Sequence, residues 1–417
     1  MQIRQRKTKK YIVILLSAIF ALAQFCMIRH YWFYAGWDAG YVWRAAQGDI
    51  DPVYFSIYPN NLFLVFLYRS ILRIATSAGF WEGYGYLILI AVQCVLCQTA
   101  AVLTYLCAED LSDSKSAFWT FAAFEILIGL SPWISVPYSD ASGLVFPILI
   151  YFISVKNIRY KWSIIGFLSY IAFSIKPQAA IIAIAVVLIK LRNPKQLLYL
   201  ILGIVLSVGL VSSSVESLNA RTDDEKSMGA AHYLMMGLNE RTTGAWAEED
   251  VLFSESIQSK GERNREDLNR ALERVREFGT AGTIRHLLKK TAYFLSDGTF
   301  SWFGEGNFVY AYNEENGKTL RNIYYEDGEY YKIWSCAVSI VWYLCVALLI
   351  AGLFFRKNKN VKVLYLAFLG ILAFNALFEQ RARYIFVNVP LVLLLASVAL
   401  YKTEKWIEQK KKHLETD

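Results

Sequence analysis

Seven short stretches of this chain hold polar side chains of the types that do chemistry, set close to apolar blocks. They are Gly36-Trp37-Asp38-Ala39-Gly40, the pair Asp49 and Asp51, Tyr58-Pro59-Asn60-Asn61, Pro137-Tyr138-Ser139-Asp140, Lys176-Pro177-Gln178, His232-Tyr233-Leu234-Met235-Met236-Gly237-Leu238 and Glu379-Gln380-Arg381-Ala382-Arg383-Tyr384. An ionised aspartate within about 3 Å of a hydroxyl can take its proton, so Asp38 reads as a general base, with Asp49 and Asp51 as rivals. The other reading of Asp38 is an N-cap for the helix that follows. Arg381 and Arg383 would diverge by about 200° on a helix but share a face in an extended segment. Arginine's planar fork suits two phosphate oxygens, and cations placed there stabilise a departing phosphate. Their other reading is snorkelling at a span end. Lys176 offers a point charge for the same anion or a solvated turn before Pro177, and Tyr384 stands beside the arginines. Asp140 is either a site residue or the N-cap of the next helix. Tyr138 reads as an interface aromatic.

His232 is the histidine nearest these motifs and is a candidate for acceptor or sugar binding. A metal site needs more ligands than one, so neither a metal nor another cofactor is expected. Glu125 lies inside an apolar run, where an acid is a functional candidate by default or a partner for polar groups on a neighbouring helix. Cys94 and Cys97 have redox spacing, but they sit inside an apolar block and read as packing. Residues 262–278 alternate charges, with Leu268, Leu272 and Val275 at helical spacing. That spacing reads as an amphipathic helix, and the preferred reading is a solvated helix packing on its own loop. The segment Asp297-Gly298-Thr299-Phe300-Ser301-Trp302 is turn-rich, and Trp302 is a weak candidate for stacking on a sugar.

The elements that must position these residues follow from composition. Of 417 residues, 56% are apolar, 16% aromatic and only 19% charged, and mean hydropathy is +0.33. A soluble domain carries about 25% charged residues, so disorder, a disulfide scaffold and a cytosolic globular enzyme are excluded. The apolar residues come in membrane-span blocks. Ten spans are expected, at roughly 11–30, 84–107, 117–133, 141–155, 160–175, 177–191, 196–214, 334–355, 361–378 and 384–401. The N-terminus imitates a signal peptide, but its apolar run continues past Ala21-Leu22-Ala23, so it reads as an uncleaved first span.

Net charge is +8, divided between −6 in residues 215–333 and +14 elsewhere. The basic groups form short clusters between apolar blocks, which are topology signals rather than a nucleic-acid groove. Residues 62–75 are apolar but carry Arg69 and Arg73. If they lie flat as an interfacial helix, the cytoplasmic segments hold 21 Lys and Arg against 6 in the short outer ones. That bias puts both termini in the cytoplasm and all the motifs above on the extracytoplasmic face. The expected organisation is an N-terminal membrane module, 1–214, with seven spans and a first outer loop at 31–83 carrying juxtamembrane helices. A large extracytoplasmic loop region, 215–333, comes next, then a C-terminal module, 334–417, with three spans and a basic tail.

An acidic residue just after the first span, an amphipathic segment before the second and a large outer loop resemble the GT-C glycosyltransferases. These polyprenyl-phosphate-sugar-dependent enzymes include the protein mannosyltransferases and the aminoarabinose transferase of lipid A. Asp38 matches the position of that group's catalytic acidic residue, and Asp140 that of its second outer loop. Tyr58-Pro59-Asn60-Asn61, His232 through Leu238 and Arg381-Ala382-Arg383-Tyr384 look like a bacterial branch of integral membrane glycosyltransferases of Gram-positive organisms. The chain has fewer spans than the larger members and no separate C-terminal soluble domain.

The resemblance implies an all-α polytopic membrane enzyme. It would move a sugar from a polyprenyl phosphate, undecaprenyl in bacteria, to a cell-wall polymer or lipid-linked glycan, with inversion. Asp38 would be its base; Asp140, Tyr58, Asn60 and His232 would bind acceptor or sugar; Arg381, Arg383, Lys176 and Tyr384 would hold the lipid phosphate. Two rivals stand: a polysaccharide polymerase or ligase with a diphosphate-linked donor, and a transporter. A transporter should show repeat symmetry and several midplane ionisable groups; Glu125 is the one obvious case.

Overall fold

In hydrocarbon a backbone must satisfy its own hydrogen bonds, so runs of apolar residues become helices. The computed structural model describes residues 2–30, 36–80, 82–306, 314–355 and 358–414, and these contain helices and connecting turns without a strand. In chain order the α-helices are α1 (Gln2–His30), α2 (Asp38–Gln47), α3 (Pro52–Ile57), α4 (Leu62–Ser77), α5 (Gly85–Leu111), α6 (Ser114–Phe124), α7 (Ser139–Gly143), α8 (Val145–Val155) and α9 (Lys161–Ile175). There follow α10 (Ile181–Lys190), α11 (Pro194–Glu216), α12 (Ala230–Gly237), α13 (Glu248–Glu255), α14 (Lys260–Leu295), α15 (Glu314–Tyr324), α16 (Tyr331–Ala351), α17 (Lys359–Leu377) and α18 (Val389–Leu414).

Six helical runs are long and apolar enough to cross a membrane: Thr8–Met27 in α1, α5, α11, α16, α17 and Ala382–His413, which contains α18. The other four expected spans are shorter apolar rods. Three are Ser139–Val155, Lys161–Ile175 and Pro177–Lys190; the fourth is α6, which continues as a π-helical turn, Glu125–Gly129. The fold is therefore an all-α polytopic membrane protein. Helices α9 and α11 approach through glycines: a Cβ at Gly166 of α9 would come within 2.1 Å of the Leu200 carbonyl of α11, and one at Gly203 within 2.0 Å of the Ser163 carbonyl. Small residues let membrane helices bring their backbones together in this way.

The two ends of the bundle differ. At one end α1, α5, α6, the end of α8 and α18 are laced by ion pairs: Lys10 with the buried Glu109 at 3.3 Å, Lys156 with Asp110 at 2.5 Å and Lys115 with Glu404 at 2.8 Å. These belong to the basic clusters assigned to one membrane face by the sequence. The aspartates, Lys176 and the arginine pair gather at the other end. There α4 packs inward through Phe63, Leu64, Val65 and Tyr68, and its Arg69 donates to the Ala45 carbonyl at the C-terminus of α2 at 2.5 Å.

The large loop region is itself helical, with α12, α13 and α14 forming a layer over this end. Helix α14 packs on its own loop, as expected, but two of the three residues of its apolar stripe do not face inward. Leu268 and Leu272 are 43% and 45% exposed, and α14 buries Arg263, Asp267, Ala271 and Arg274 instead. The reason is hydrogen bonding. Arg263 donates to the carbonyls of Ser254, Glu225, Ser227, Ile257 and Gln258, and Arg274 clamps Asp250 at 2.5 and 3.0 Å and the Met235 carbonyl at 2.6 Å. Val275 alone of the stripe packs inward, against Met235, Leu238 and Ala271.

Candidate functional site

Helix α2 begins at Asp38 itself, after Trp37 in extended conformation, and no side chain caps it. Asp38 is thus not the cap; its carboxylate is partly exposed and accepts a hydrogen bond from Tyr138 Oη at 3.2 Å. The same phenol lies 3.4 Å from Asn61 Oδ1, and Asn61 Nδ2 donates to Tyr54 Oη at 2.8 Å. Burial, and then the charge of Asp38, push the Tyr54 and Tyr138 phenols far above their ordinary pKa. Both stay neutral, so Tyr138 and Tyr54 serve as phenol partners of the Asp38 carboxylate. The rivals differ: Asp51 spends its carboxylate capping α3, at 2.9 and 3.0 Å from the Val53 and Tyr54 amides, and Asp49 is exposed. Asp49-Ile50-Asp51 also has the Asp-x-Asp spacing familiar from nucleotide-sugar metal sites. With one carboxylate used as a cap it supplies little of a ligand set, and no cluster of three His, Cys, Asp or Glu fit for a metal occurs among the described residues.

Trp37 is the hinge between the base and the cations. Its ring meets Tyr138 edge-on at 4.9 Å, and the Arg383 guanidinium lies 4.2 Å from its centroid. Arg383 also lies 5.6 Å from Trp133 and 5.7 Å from Tyr384. The two arginines were expected to share a face if extended. Arg381 is extended, and it immediately precedes the 3-10 turn Ala382–Asn388 that carries Arg383. The two converge on one carboxylate: Glu305 is 3.0 Å from Arg383 Nε and 3.6 Å from Arg381 Nη1. Arg381 also lies 3.7 Å from Glu379, which accepts from Tyr384 Oη at 3.2 Å. Burial raises the Glu379 carboxyl, opposed by both arginines.

Asp140 and Lys176 form a buried ion pair. Asp140 is 2% exposed, and its Oδ2 has no partner among the described residues. Tyr138, not Asp140, occupies the N-cap position of α7. Lys176 Nζ sits 4.7 Å from the Tyr384 ring, so Asp140, Lys176, Tyr384 and Arg383 form a continuous polar seam running to Asp38. Tyr58 is partly buried at 5.3 Å from Tyr54, whereas Asn60 is exposed and its neighbour Asn61 takes the buried place.

His232 stands apart from the seam. It is fully buried in the α12–α13–α14 layer, where Nδ1 faces Ser254 Oγ at 2.8 Å and that hydroxyl donates to Asp267 at 2.7 Å. Burial pushes its imidazole down to about 4. The layer reaches the seam through other atoms. The Glu379 amide donates to the Tyr233 carbonyl at 2.8 Å, and the Gln380 amide to the Gly244 carbonyl at 2.9 Å. The buried Lys290 bridges the Gly237 and Phe378 carbonyls at 2.7 and 2.8 Å, and burial lowers its ammonium to about 7.

Sequence reasoning passed over Glu305, Asn61, Tyr54, Trp133 and Lys290. Asn61 lay inside a quoted motif, and Glu305 three residues beyond the flagged Asp297–Trp302 segment; nothing local marked Trp133 or Lys290. Trp302 is fully buried behind Trp133, at 5.1 Å between rings, and donates to the Tyr324 carbonyl at 2.8 Å. That packing leaves it no open face for a sugar.

A solved structure with a related trace is the archaeal oligosaccharyltransferase AglB from Archaeoglobus fulgidus, in complex with an inhibitory peptide and a dolichol-phosphate. The likeness has a TM-score of 0.44 at 12% sequence identity and covers 99% of this chain and 52% of that one. The chain therefore spans about half the length of that enzyme. No curated protein matches this sequence. The family model described as conserved hypothetical integral membrane protein matches residues 2–404, and the chain belongs to that family.

Proposed function

We propose that this protein is a membrane glycosyltransferase of GT-C type, taking its sugar from a polyprenyl phosphate and passing it to a hydroxyl of a cell-wall polymer or lipid-linked glycan. The observation that carries this reading is a juxtaposition. A partly exposed carboxylate flanked by the neutral phenols of Tyr138 and Tyr54, Asp38, stands one tryptophan ring away from two arginines already converged on a single anion. That pairing suits one displacement: a base for a hydroxyl and cations for the leaving phosphate.

In the proposed reaction the acceptor O–H proton passes to Asp38 while its oxygen forms a bond to the anomeric carbon. The carbon–oxygen bond to the lipid phosphate breaks, and its electron pair stays on the phosphate. Attack opposite the leaving group inverts the anomeric centre. Arg381 and Arg383 take the phosphate in place of Glu305, with Lys176 adding a third cation and Tyr384 a neutral O–H donor. Asp140 holds Lys176; Tyr58 and the exposed Asn60 lie on the acceptor side. His232 acts from the packed layer by holding α12, whose Tyr233 carbonyl fixes Glu379. No metal is required, because the lipid phosphate carries less charge than a nucleotide diphosphate and the arginines neutralise it. The Lys and Arg bias places both termini in the cytoplasm and the site outside.

The test is to incubate purified protein in lipid with a panel of labelled undecaprenyl-phosphate sugars and cell-wall acceptor extracts, beside Asp38→Asn and with chelator added. Label leaving the lipid with wild type alone, unaffected by chelator, supports the reading and names the sugar. No turnover with any donor, or equal turnover by both proteins, removes Asp38 as the base and favours a polymerase or transporter.

A further inference from the structure

Away from the seam, a second polar cluster sits between α1, α5 and α6. Where α6 ends, the backbone widens into the π-helical turn Glu125–Gly129, a distortion that recurs at functional sites. The Glu125 carboxylate folds back over Gly129 so closely that a Cβ there would lie 2.0 Å from Oε2. Glycine and the wide turn together make room for this carboxylate. Glu125 is 3% exposed, Gln98 5% and Gln24 3%.

The hydrogen bonds can be counted. Gln98 Nε2 donates to Glu125 Oε2 at 3.0 Å and to Gln24 Oε1 at 3.2 Å. Gln24 Nε2 donates to the Gly129 carbonyl at 2.6 Å and to Cys97 Sγ at 3.6 Å. Two primary amides own four N–H groups, and these four contacts use them all. Glu125 Oε1 and Gln98 Oε1 are left buried with no partner among the described residues. No cationic side chain among them acts on Glu125. A buried carboxylate needs a compensating charge, and an open oxygen needs a donor or a cation.

We propose that Glu125, Gln98 and Gln24 form a binding site for one alkali cation of sodium type. Every free ligand atom is oxygen, which selects a hard cation, and one positive charge cancels the single carboxylate. The two open oxygens come from α5 and from the π-helical turn after α6, while Gln24 of α1, the helix leading to Asp38, is held through its hydrogen bond from Gln98, so the ion would brace the cluster that joins α1 to the body of the bundle. This inference does not depend on glycosyl transfer, and its test needs no sugar donor.

The experiment uses the full chain in lipid nanodiscs. Equilibrium dialysis with ²²Na⁺ is expected to show saturable binding of about one ion per chain, displaced by Li⁺ and not by choline, and lost in Glu125→Gln. The unfolding midpoint of wild type is expected to rise by a few degrees in sodium over choline at equal ionic strength, through mass action on the folded state; that of Glu125→Gln should not move. Absence of saturable sodium binding in wild type overturns the proposal, as does binding retained by Glu125→Gln. A midpoint that follows pH and ignores salt identity assigns the site to a proton and equally overturns it. Should Glu125→Gln fail to fold, the wild-type dialysis and salt series decide alone.

Discussion

The chain buries arginine in two places and treats it in two ways. In the α12–α14 layer Arg263 makes five hydrogen bonds to carbonyls, as many as its N–H groups, and Arg274 makes three to Asp250 and the Met235 carbonyl. Along the seam Arg381 and Arg383 face Glu305 and Glu379 at 3.0–3.7 Å, and no hydrogen bond from either guanidinium is formed within the described residues. Asp140 Oδ2 is likewise open. A saturated buried charge is scaffold, since nothing more can bind it. A buried charge with bonding capacity left over is a candidate for ligand binding.

That contrast is broken or sharpened by five measurements. The largest effect is expected at Asp38. Asp38→Asn keeps the Tyr138 contact but loses the base, so label transfer should fall by about 10²–10⁴ with donor binding unchanged; a variant with normal turnover would dissolve the site. Next is Arg274→Ala, which leaves Asp250 buried and unpaired and should cost about 3–5 kcal/mol in denaturant unfolding. A loss under 1 kcal/mol would show that the layer is not scaffold.

Third is acid. His232 has its folded pKa depressed to about 4, below its ordinary 6.5. The unfolded chain therefore binds a proton that the fold refuses, and stability present above pH 6.5 is lost as pH falls towards 4, by at most roughly 3 kcal/mol. A His232→Gln variant should flatten that slope; an unchanged slope would place the acid sensitivity elsewhere. Fourth, Arg381→Ala should weaken lipid-phosphate binding about tenfold, near 1.4 kcal/mol, while the unfolding midpoint hardly moves. The smallest change is expected for Leu268→Gln on the outer face of α14, within about 0.5 kcal/mol of wild type. A large loss there would restore the apolar stripe as the packed face.

The outward turn of that stripe is instructive about legibility. The periodicity of residues 262–278 correctly announced a helix, but which side turns inward depends on what the neighbours need. Here α12, α13 and their loops end in unpaired carbonyls, and Arg263 and Arg274 satisfy them. A hydrophobic count cannot see such acceptors, because they belong to backbone far away in sequence. The same reason explains Lys290, whose partners are the carbonyls of Gly237 and Phe378, and Asn60, where the choice between two adjacent asparagines fell to the turn before α4.

The sequence by itself determined the class and the rods. Apolar runs in hydrocarbon have to be helical, and all ten expected spans stand as helices, six of them full length. It also determined that the polar motifs alternate with the basic clusters along the chain, which puts them at opposite ends of an antiparallel bundle. Only the tertiary structure decided which motif residues meet. Asp38 and Tyr138 are 100 residues apart, and Glu305 and the arginines come from opposite sides of α16 and α17. Contacts across such separations are set by helix packing and by the loop layer above, and no local spacing encodes them.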